Sequence, residues 1–128
     1  MARILIAEDE PSVRAFLLRA LQGVGHQVEA AGDGSEAMTV LASARSRGLG
    51  YDLLLTDILM PVMDGISLAL SASRDAPGMR IMLMTGYSDQ RERAHGLDAI
   101  IDDILLKPFT LDELTQRVTQ ALAAEKPH

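Results

Sequence analysis

Acidic residues follow two apolar segments of this sequence. Glu8 and Asp9 come directly after RILIA at 3 to 7, and Asp57 comes after LLLT at 53 to 56. A carboxylate inside a buried strand is costly, so an acid in such a place is expected where the strand leaves the core. The three carboxylates are therefore available for chemistry at the ends of two predicted strands.

Such a set of carboxylates can bind a cation, and one of them can accept a phosphoryl group. Three crowded carboxylates raise one another's pKa or hold a hard cation through their oxygens, and Mg2+ is the natural candidate. An aspartate is also a competent nucleophile toward phosphorus, and the acyl phosphate needs a metal and a lysine to offset its charge. Thr85 and Lys107, which end two further apolar segments, supply a hydroxyl and an ammonium group. The set predicts a site that accepts a phosphoryl group on Asp57.

Apolar runs and helical periodicity alternate along the chain in a regular order. Strands are predicted at 3 to 7, 27 to 31, 51 to 56, 80 to 85 and 103 to 106. Helices are predicted from 11 to about 23, over 37 to 44 and ending near 48, from 65 to about 75, as a short segment at 89 to 96, and at 111 to 122. Each predicted strand is thus followed by a helix.

This alternation predicts an α/β fold, a flavodoxin-like (βα)5 three-layer sandwich. Each parallel connection needs a crossover, and crossovers are right-handed, so helices cover both faces of the sheet. In a parallel five-stranded sheet of order 2-1-3-4-5, the first and third strands flank the switch point at which such sheets bind ligands. We therefore expect Asp9 to lie beside Asp57.

The composition fits one compact domain that covers residues 1–128. A chain of 128 residues, 48% of them hydrophobic, can bury a substantial core. The net charge is -6 and the positive residues are scattered, which argues against direct binding of nucleic acid. The sequence has no cysteine, no recognisable leader and no apolar run long enough to span a bilayer. We therefore expect a soluble, cytoplasmic protein.

Four segments of the sequence together resemble a known family. AEDE, TDILMPVMDG, MTG and LLKPF match, in order and spacing, the motifs of the CheY-like response-regulator receiver domains of two-component signalling. The resemblance covers essentially the whole chain and implies that a histidine kinase or histidine phosphotransfer protein phosphorylates it with Mg2+. Residues 1 to 28 and 51 to 66 are also similar to single-domain receivers of the CpdR type.

The resemblance implies a role for each candidate residue. Asp57 resembles the phosphoacceptor, Thr85 the switch hydroxyl and Lys107 the phosphate partner. The implied metal ligands are the side chains of Glu8, Asp9 and Asp57 and the backbone carbonyl of Leu59. The peptide bond between Lys107 and Pro108 is expected to be cis, and X-Pro is the sequence context that permits this.

One position departs from the family pattern. Many receiver domains carry an aromatic residue three positions before the lysine, whose inward rotation follows movement of the switch hydroxyl, and this chain has Ile104 there. We expect movement of Thr85 to be transmitted instead by the loop that carries Tyr87 and by the predicted helix at 89 to 96. Because Leu59 and Tyr87 are bulky neighbours of the site, we also expect a long-lived acyl phosphate.

The sequence favours a phosphoacceptor that signals through a partner protein, and not an enzyme. We expect output through the face formed by the predicted helix at 89 to 96, the fifth strand and the final helix. A receiver portion of a hybrid histidine kinase or of a larger regulator is the alternative. An FMN-binding module is less favoured because AEDEPS offers acids that repel a phosphate, and a Mg2+-dependent phosphohydrolase would need a second acid in place of Leu59.

Overall fold

The computed structural model describes residues 2–86, 96–97 and 99–123. Five parallel strands form one sheet in the order β2-β1-β3-β4-β5. Their bounds are β1 Arg3–Ala7, β2 Gln27–Ala31, β3 Leu53–Asp57, β4 Arg80–Thr85 and β5 Asp103–Leu106. The predicted α/β class and strand order are confirmed. The predicted helix at 89 to 96, apart from Gly96, and the loop residue Tyr87 lie outside the described residues.

The described part of the chain contains helices α1 Pro11–Gly23, α2 Gly34–Ser46, α3 Gly65–Asp75 and α4 Leu111–Ala123. Acidic side chains cap the first three, because Glu10, Asp33 and Asp64 each accept backbone N–H groups of the first turn. Helix α4 begins with a capping box, in which Thr110 and Glu113 each accept the other's backbone N–H through the side chain. No helix among the described residues has the length and apolar character needed to cross a membrane.

Helices cover both faces of the sheet. Leu5 and Leu54 pack with side chains of α2 and α3 on one face, while Ile4, Leu53 and Met84 pack with α1 and α4 on the other. Because both faces are covered, every residue of β3 is buried, which is why the strand begins with three consecutive leucines. The predicted three-layer arrangement is therefore present in the described residues.

The third strand begins two residues later than predicted. Asp52 is exposed, and its carboxylate accepts a hydrogen bond from Arg3 N at 2.8 Å, while Asp52 N donates to Arg3 O at 2.8 Å. The Asp52 carboxylate thus accepts the hydrogen bond from Arg3 N that a backbone carbonyl would accept in a regular strand pair. The regular ladder starts with Leu53, which pairs with Ile4.

Candidate functional site

The carboxyl ends of β1 and β3 bring three acidic side chains together. Ala7, the last residue of β1, pairs with Thr56, so the acids that follow them meet at the same edge of the sheet. Carboxylate oxygens of Glu8, Asp9 and Asp57 all lie within 4.8 Å of one another. Glu8 and Asp57 are buried or nearly so, whereas Asp9 is exposed. The predicted proximity of Asp9 and Asp57 is confirmed.

Lys107 completes this group from the end of β5. Its Nζ lies 3.0 Å from Asp57 Oδ2 and 3.1 Å from Glu8 Oε1, so the ammonium group bridges two of the three carboxylates. The peptide bond to Pro108 is cis, as expected. The two ends of the Glu8–Lys107 contact are separated by 99 residues of sequence, and they meet at the carboxyl ends of the strands although β3 and β4 lie between β1 and β5.

Thr85 ends β4, the strand between β3 and β5. It is buried, and its carbonyl accepts a hydrogen bond from Lys107 N at 2.8 Å. The residue before it, Met84, pairs with Asp57, so Thr85 lies one position beyond the phosphoacceptor candidate along the neighbouring strand. The structure therefore places the predicted switch residue at the same edge as the acids and the lysine.

An open cleft of about 730 Å³ exposes this edge to solvent. Asp57 and Lys107 line it together with Leu59, whose side chain is 46% exposed. Phe16 of α1 and Phe109, which follows the cis proline, form part of an apolar rim. Asp57 and Lys107 can therefore be approached from solvent through this cleft.

Burial and the neighbouring charges shift the pKa values of Glu8 and Lys107. Burial raises the pKa of Glu8 and the charge of Asp57 raises it further, while the hydrogen bond from Glu10 N and the contact with Lys107 oppose the rise. Burial lowers the pKa of Lys107, but the hydrogen bond and charge of Asp57, with those of Glu8, outweigh burial and leave it above its ordinary value. These opposing effects hold the lysine positively charged between the acids.

The donor set fits a hard divalent cation. Three carboxylates and one ammonium group leave an excess of two negative charges when all four are ionised, and a divalent cation would neutralise that excess. Carboxylate and carbonyl oxygens are the ligands that Mg2+ takes in proteins. Glu8, Asp9 and Asp57 are therefore suited to hold Mg2+, with the Leu59 carbonyl as the further ligand implied by the family.

Gly65 supports the site through a close approach that sequence reasoning missed. A Cβ at this position would lie 2.0 Å from the carbonyl oxygen of Asp57, and Gly65 N donates to Ile58 O at 2.8 Å. Helix α3 thus starts directly against the backbone of the phosphoacceptor candidate, and only glycine fits there. The Asp-Gly pair before a helix was the signal in the sequence, but it indicates a helix start equally well.

The loop between β3 and α3 contains a strained residue. Val62 has φ of 71°, and Met63 N donates to Pro61 O at 2.8 Å across it, which closes a three-residue γ-turn. A β-branched residue rarely adopts positive φ, so local sequence preference gives no sign of this turn. Strain of this kind is often found next to functional sites.

Comparison with known proteins assigns the family. Residues 4–119 match the response regulator receiver domain family. Together with the parallel sheet of order 2-1-3-4-5 and the acidic group at its carboxyl edge, this match defines the class. The chain belongs to the response regulator receiver domains of two-component systems, the CheY-like family that the sequence motifs resemble.

Individual relatives agree with this class. Response regulator MprA of Mycobacterium avium (strain 104) is 38% identical over 125 residues, which cover 98% of this chain and 53% of MprA. The chain spans about half the length of the curated relatives it matches.

Solved structures of two relatives match nearly the whole fold. Response regulator TrrA from Thermotoga maritima, determined in complex with Mg2+-BeF, is 32% identical with a TM-score of 0.81, covering 94% of this chain and 99% of TrrA. The receiver domain of a signal transduction histidine kinase from Syntrophus aciditrophicus is 30% identical with a TM-score of 0.82, covering 100% and 98%. A response regulator and the receiver domain of a histidine kinase thus share this architecture.

Proposed function

We propose that this chain accepts a phosphoryl group on Asp57 in a Mg2+-dependent reaction. The observation that carries the proposal is the position of Lys107 Nζ, 3.0 Å from Asp57 Oδ2 within a group of three carboxylates. An ammonium group there can bind an oxygen of the incoming phosphoryl group once Asp57 is modified. The structure of TrrA in complex with Mg2+-BeF supports the binding of Mg2+ by this chain.

In the proposed reaction an oxygen of the Asp57 carboxylate attacks the phosphorus of a phosphohistidine. The oxygen–phosphorus bond forms while the phosphorus–nitrogen bond breaks, and the imidazole leaves with that electron pair and takes up a proton. Lys107 and the Thr85 hydroxyl would each bind a phosphoryl oxygen. A metal held by the three carboxylates would offset the charge that gathers on these oxygens. The open cleft beside Asp57 gives the donor access.

The partners follow from the same chemistry. We propose a histidine kinase or histidine phosphotransfer protein as donor, met in the cytoplasm, and a protein that recognises the phosphorylated state as target. Exposed Leu106 at the end of β5 and exposed Leu111 at the start of α4 support a target surface at this end of the fold. The net charge of -6 disfavours nucleic acid as the direct target. The chain acts here as a phosphoacceptor without an output reaction of its own.

The alternative within this class is the receiver portion of a hybrid histidine kinase or larger regulator. Two observations favour it: the chain spans about half of MprA, and it is similar to the receiver domain of a histidine kinase. The chemistry at Asp57 is the same in both cases. An FMN-binding module and a phosphohydrolase are not supported, since acids occupy the loop after β1 and Leu59 stands where the hydrolase would need a second acid.

Intact-protein mass after incubation with acetyl phosphate and Mg2+ tests the proposal. We expect one adduct of about 80 Da on the wild type and none on Asp57→Asn, because the amide cannot form the acyl phosphate. Asp52→Asn, an exposed acid at the opposite edge of the sheet, is the matched control and should be labelled like the wild type. An adduct that persists in Asp57→Asn would contradict the assignment, as would wild type that stays unlabelled by every phosphohistidine and small-molecule donor tried.

A further inference from the structure

The backbone turn that carries Glu8 and Asp9 is held by hydrogen bonds from or to residues other than Asp57 and Lys107. Glu8 N donates to Ala31 O of β2 at 3.1 Å, and Glu10 N donates to the Glu8 carboxylate at 3.1 Å. The carbonyl of Glu8 accepts a hydrogen bond from Arg14 Nη1 at 2.9 Å. The guanidinium group of a helix residue therefore fixes the one backbone acceptor between the two acids.

The position of this carbonyl controls Asp9. Glu8 C=O belongs to the planar peptide that leads into Asp9, so its orientation sets the direction in which the chain enters that residue. Asp9 is exposed, and its side chain therefore depends on the backbone for its placement. Arg14 is half-buried and reaches the carbonyl past Gly32, where a Cβ would lie 3.4 Å from Arg14 Nη1.

We propose that Arg14 is a positioning residue of the metal site. Its guanidinium group holds the peptide between Glu8 and Asp9 so that the Asp9 carboxylate lies beside that of Asp57. The inference rests on the proposed Mg2+ binding and names a residue that touches neither the metal nor the phosphoryl group. Partners that orient metal ligands typically change metal affinity by about 10- to 100-fold when they are removed.

Charge and positioning predict effects of opposite sign. Arg14 is a cation, so its charge alone repels Mg2+, and removing it would tighten Mg2+ binding. Loss of the hydrogen bond to Glu8 O would instead let the peptide rotate and weaken Mg2+ binding. The direction of the change therefore separates the two roles without any measurement of phosphorylation.

The experiment compares R14M with R19M by titrating each protein with Mg2+ and following amide resonances or heat. Methionine keeps the apolar stem and the helix propensity and removes the donor. Arg19 lies on the same helix, is exposed, and its guanidinium donates to Ala15 O of that helix at 3.5 Å, so R19M changes the net charge equally. We expect the Mg2+ dissociation constant to rise about tenfold in R14M and to stay within about twofold of wild type in R19M.

Two further measurements make the result decisive. At saturating Mg2+, R14M should be phosphorylated by acetyl phosphate at nearly the wild-type rate, because the reacting groups are intact. R14K should lose about threefold in Mg2+ affinity, since an ammonium group can still donate one hydrogen bond. If R14M does not fold, R14K is compared with R19K instead. Unchanged or tighter binding relative to the Arg19 variant overturns the proposal. Failure of wild type to bind Mg2+ would instead overturn the proposed function.

Discussion

The two ends of the sheet use charged residues in opposite ways. We call the end at which the strands begin the amino edge, and the end at which they finish, near Asp57, the carboxyl edge. At the amino edge, Arg3 donates to the carbonyls of Leu49 and Gly50 at 3.0 and 3.2 Å, and its guanidinium carbon lies 4.8 Å from the centre of the Tyr51 ring. It also lies 4.0 Å from Glu29. Here the side chain of one cation contacts two carbonyl oxygens, an aromatic ring and one carboxylate. Burial, followed by the hydrogen bond to Glu29, raises the pKa of Tyr51 to about 12, so the Tyr51 hydroxyl stays protonated at ordinary pH.

At the carboxyl edge, several carboxylates share one cation. Lys107 is shared between Glu8 and Asp57, and Asp9 adds a third carboxylate within 4.8 Å. Proteins commonly give up stability at functional sites in this way and recover it when the ligand binds. The comparison indicates that the amino edge stabilises the fold and that the carboxyl edge holds more negative than positive charge, as the proposed binding of Mg2+ requires.

The largest expected effect comes from crowding the carboxyl edge. Gly65→Ala would place a Cβ 2.0 Å from Asp57 O, so the start of α3 must move, and we expect a loss of about 3 kcal/mol in the free energy of unfolding. Gly50→Ala at the amino edge meets no atom within 4 Å and should change it by less than about 0.5 kcal/mol. Urea denaturation of both variants tests this. Equal stability of the two variants would show that α3 does not abut the backbone of Asp57.

Mg2+ should stabilise the protein through the carboxyl edge alone. Binding to the folded state at a hundredfold excess over Kd contributes about 2.7 kcal/mol, which corresponds to a Tm rise of roughly 10 °C for a chain of this size. The rise should be lost in Asp9→Ala and kept in Asp52→Ala, whose carboxylate contacts Arg3 at the other edge. Differential scanning calorimetry with and without Mg2+ makes the comparison. A rise retained in Asp9→Ala would remove Asp9 from the ligand set.

Relief of backbone strain should give a smaller gain. Val62 adopts φ of 71° and is 83% exposed, so replacing it with glycine removes strain without losing buried contacts. Strain of about 1–3 kcal/mol, less the greater chain entropy of glycine, predicts a net stabilisation of about 1 kcal/mol for Val62→Gly. Chemical denaturation measures it, with Val24→Gly as an exposed control at ordinary φ that should be destabilised. Destabilisation of Val62→Gly would mean that the turn is not strained.

The smallest expected effect is a pH dependence at the amino edge. Burial lowers the pKa of His26 below its ordinary value of 6.5, and its Nδ1 accepts a hydrogen bond from Ala2 N at 3.2 Å, which protonation would remove. Because the unfolded chain binds the proton at higher pH, this stability is fully present above about pH 6.5 and is lost as pH falls toward the folded pKa. Between pH 7.5 and 5.5 the Tm should therefore fall more in wild type than in His26→Gln. An equal fall in Tm for the two proteins would contradict this role of His26.

Much of the fold and of the site could be predicted from local features. The buried strands read as apolar runs, and an acid or lysine after such a run marks the point where the chain leaves the core. The strand order and the meeting of Asp9 with Asp57 followed from the general behaviour of parallel sheets. The predicted start of α2 was less accurate. This helix begins at Gly34, three residues before the apolar periodicity, because Asp33 caps it. The roles of the site residues stay predictions: Asp57 as phosphoacceptor, the metal ligands, and Thr85 and Lys107 as partners of the phosphoryl group.

Contacts between distant residues were decided only by the tertiary structure. Nothing in the order of residues shows that Lys107 bridges Glu8 and Asp57, that Arg14 reaches the Glu8 carbonyl, or that Gly65 packs against Asp57 O. Strand propensity and apolar periodicity describe each segment separately, because they arise from backbone sterics and the burial of one face. Atomic distances between segments depend on how all of them pack at once, and at this edge of the sheet that packing brings one ammonium group between the acids.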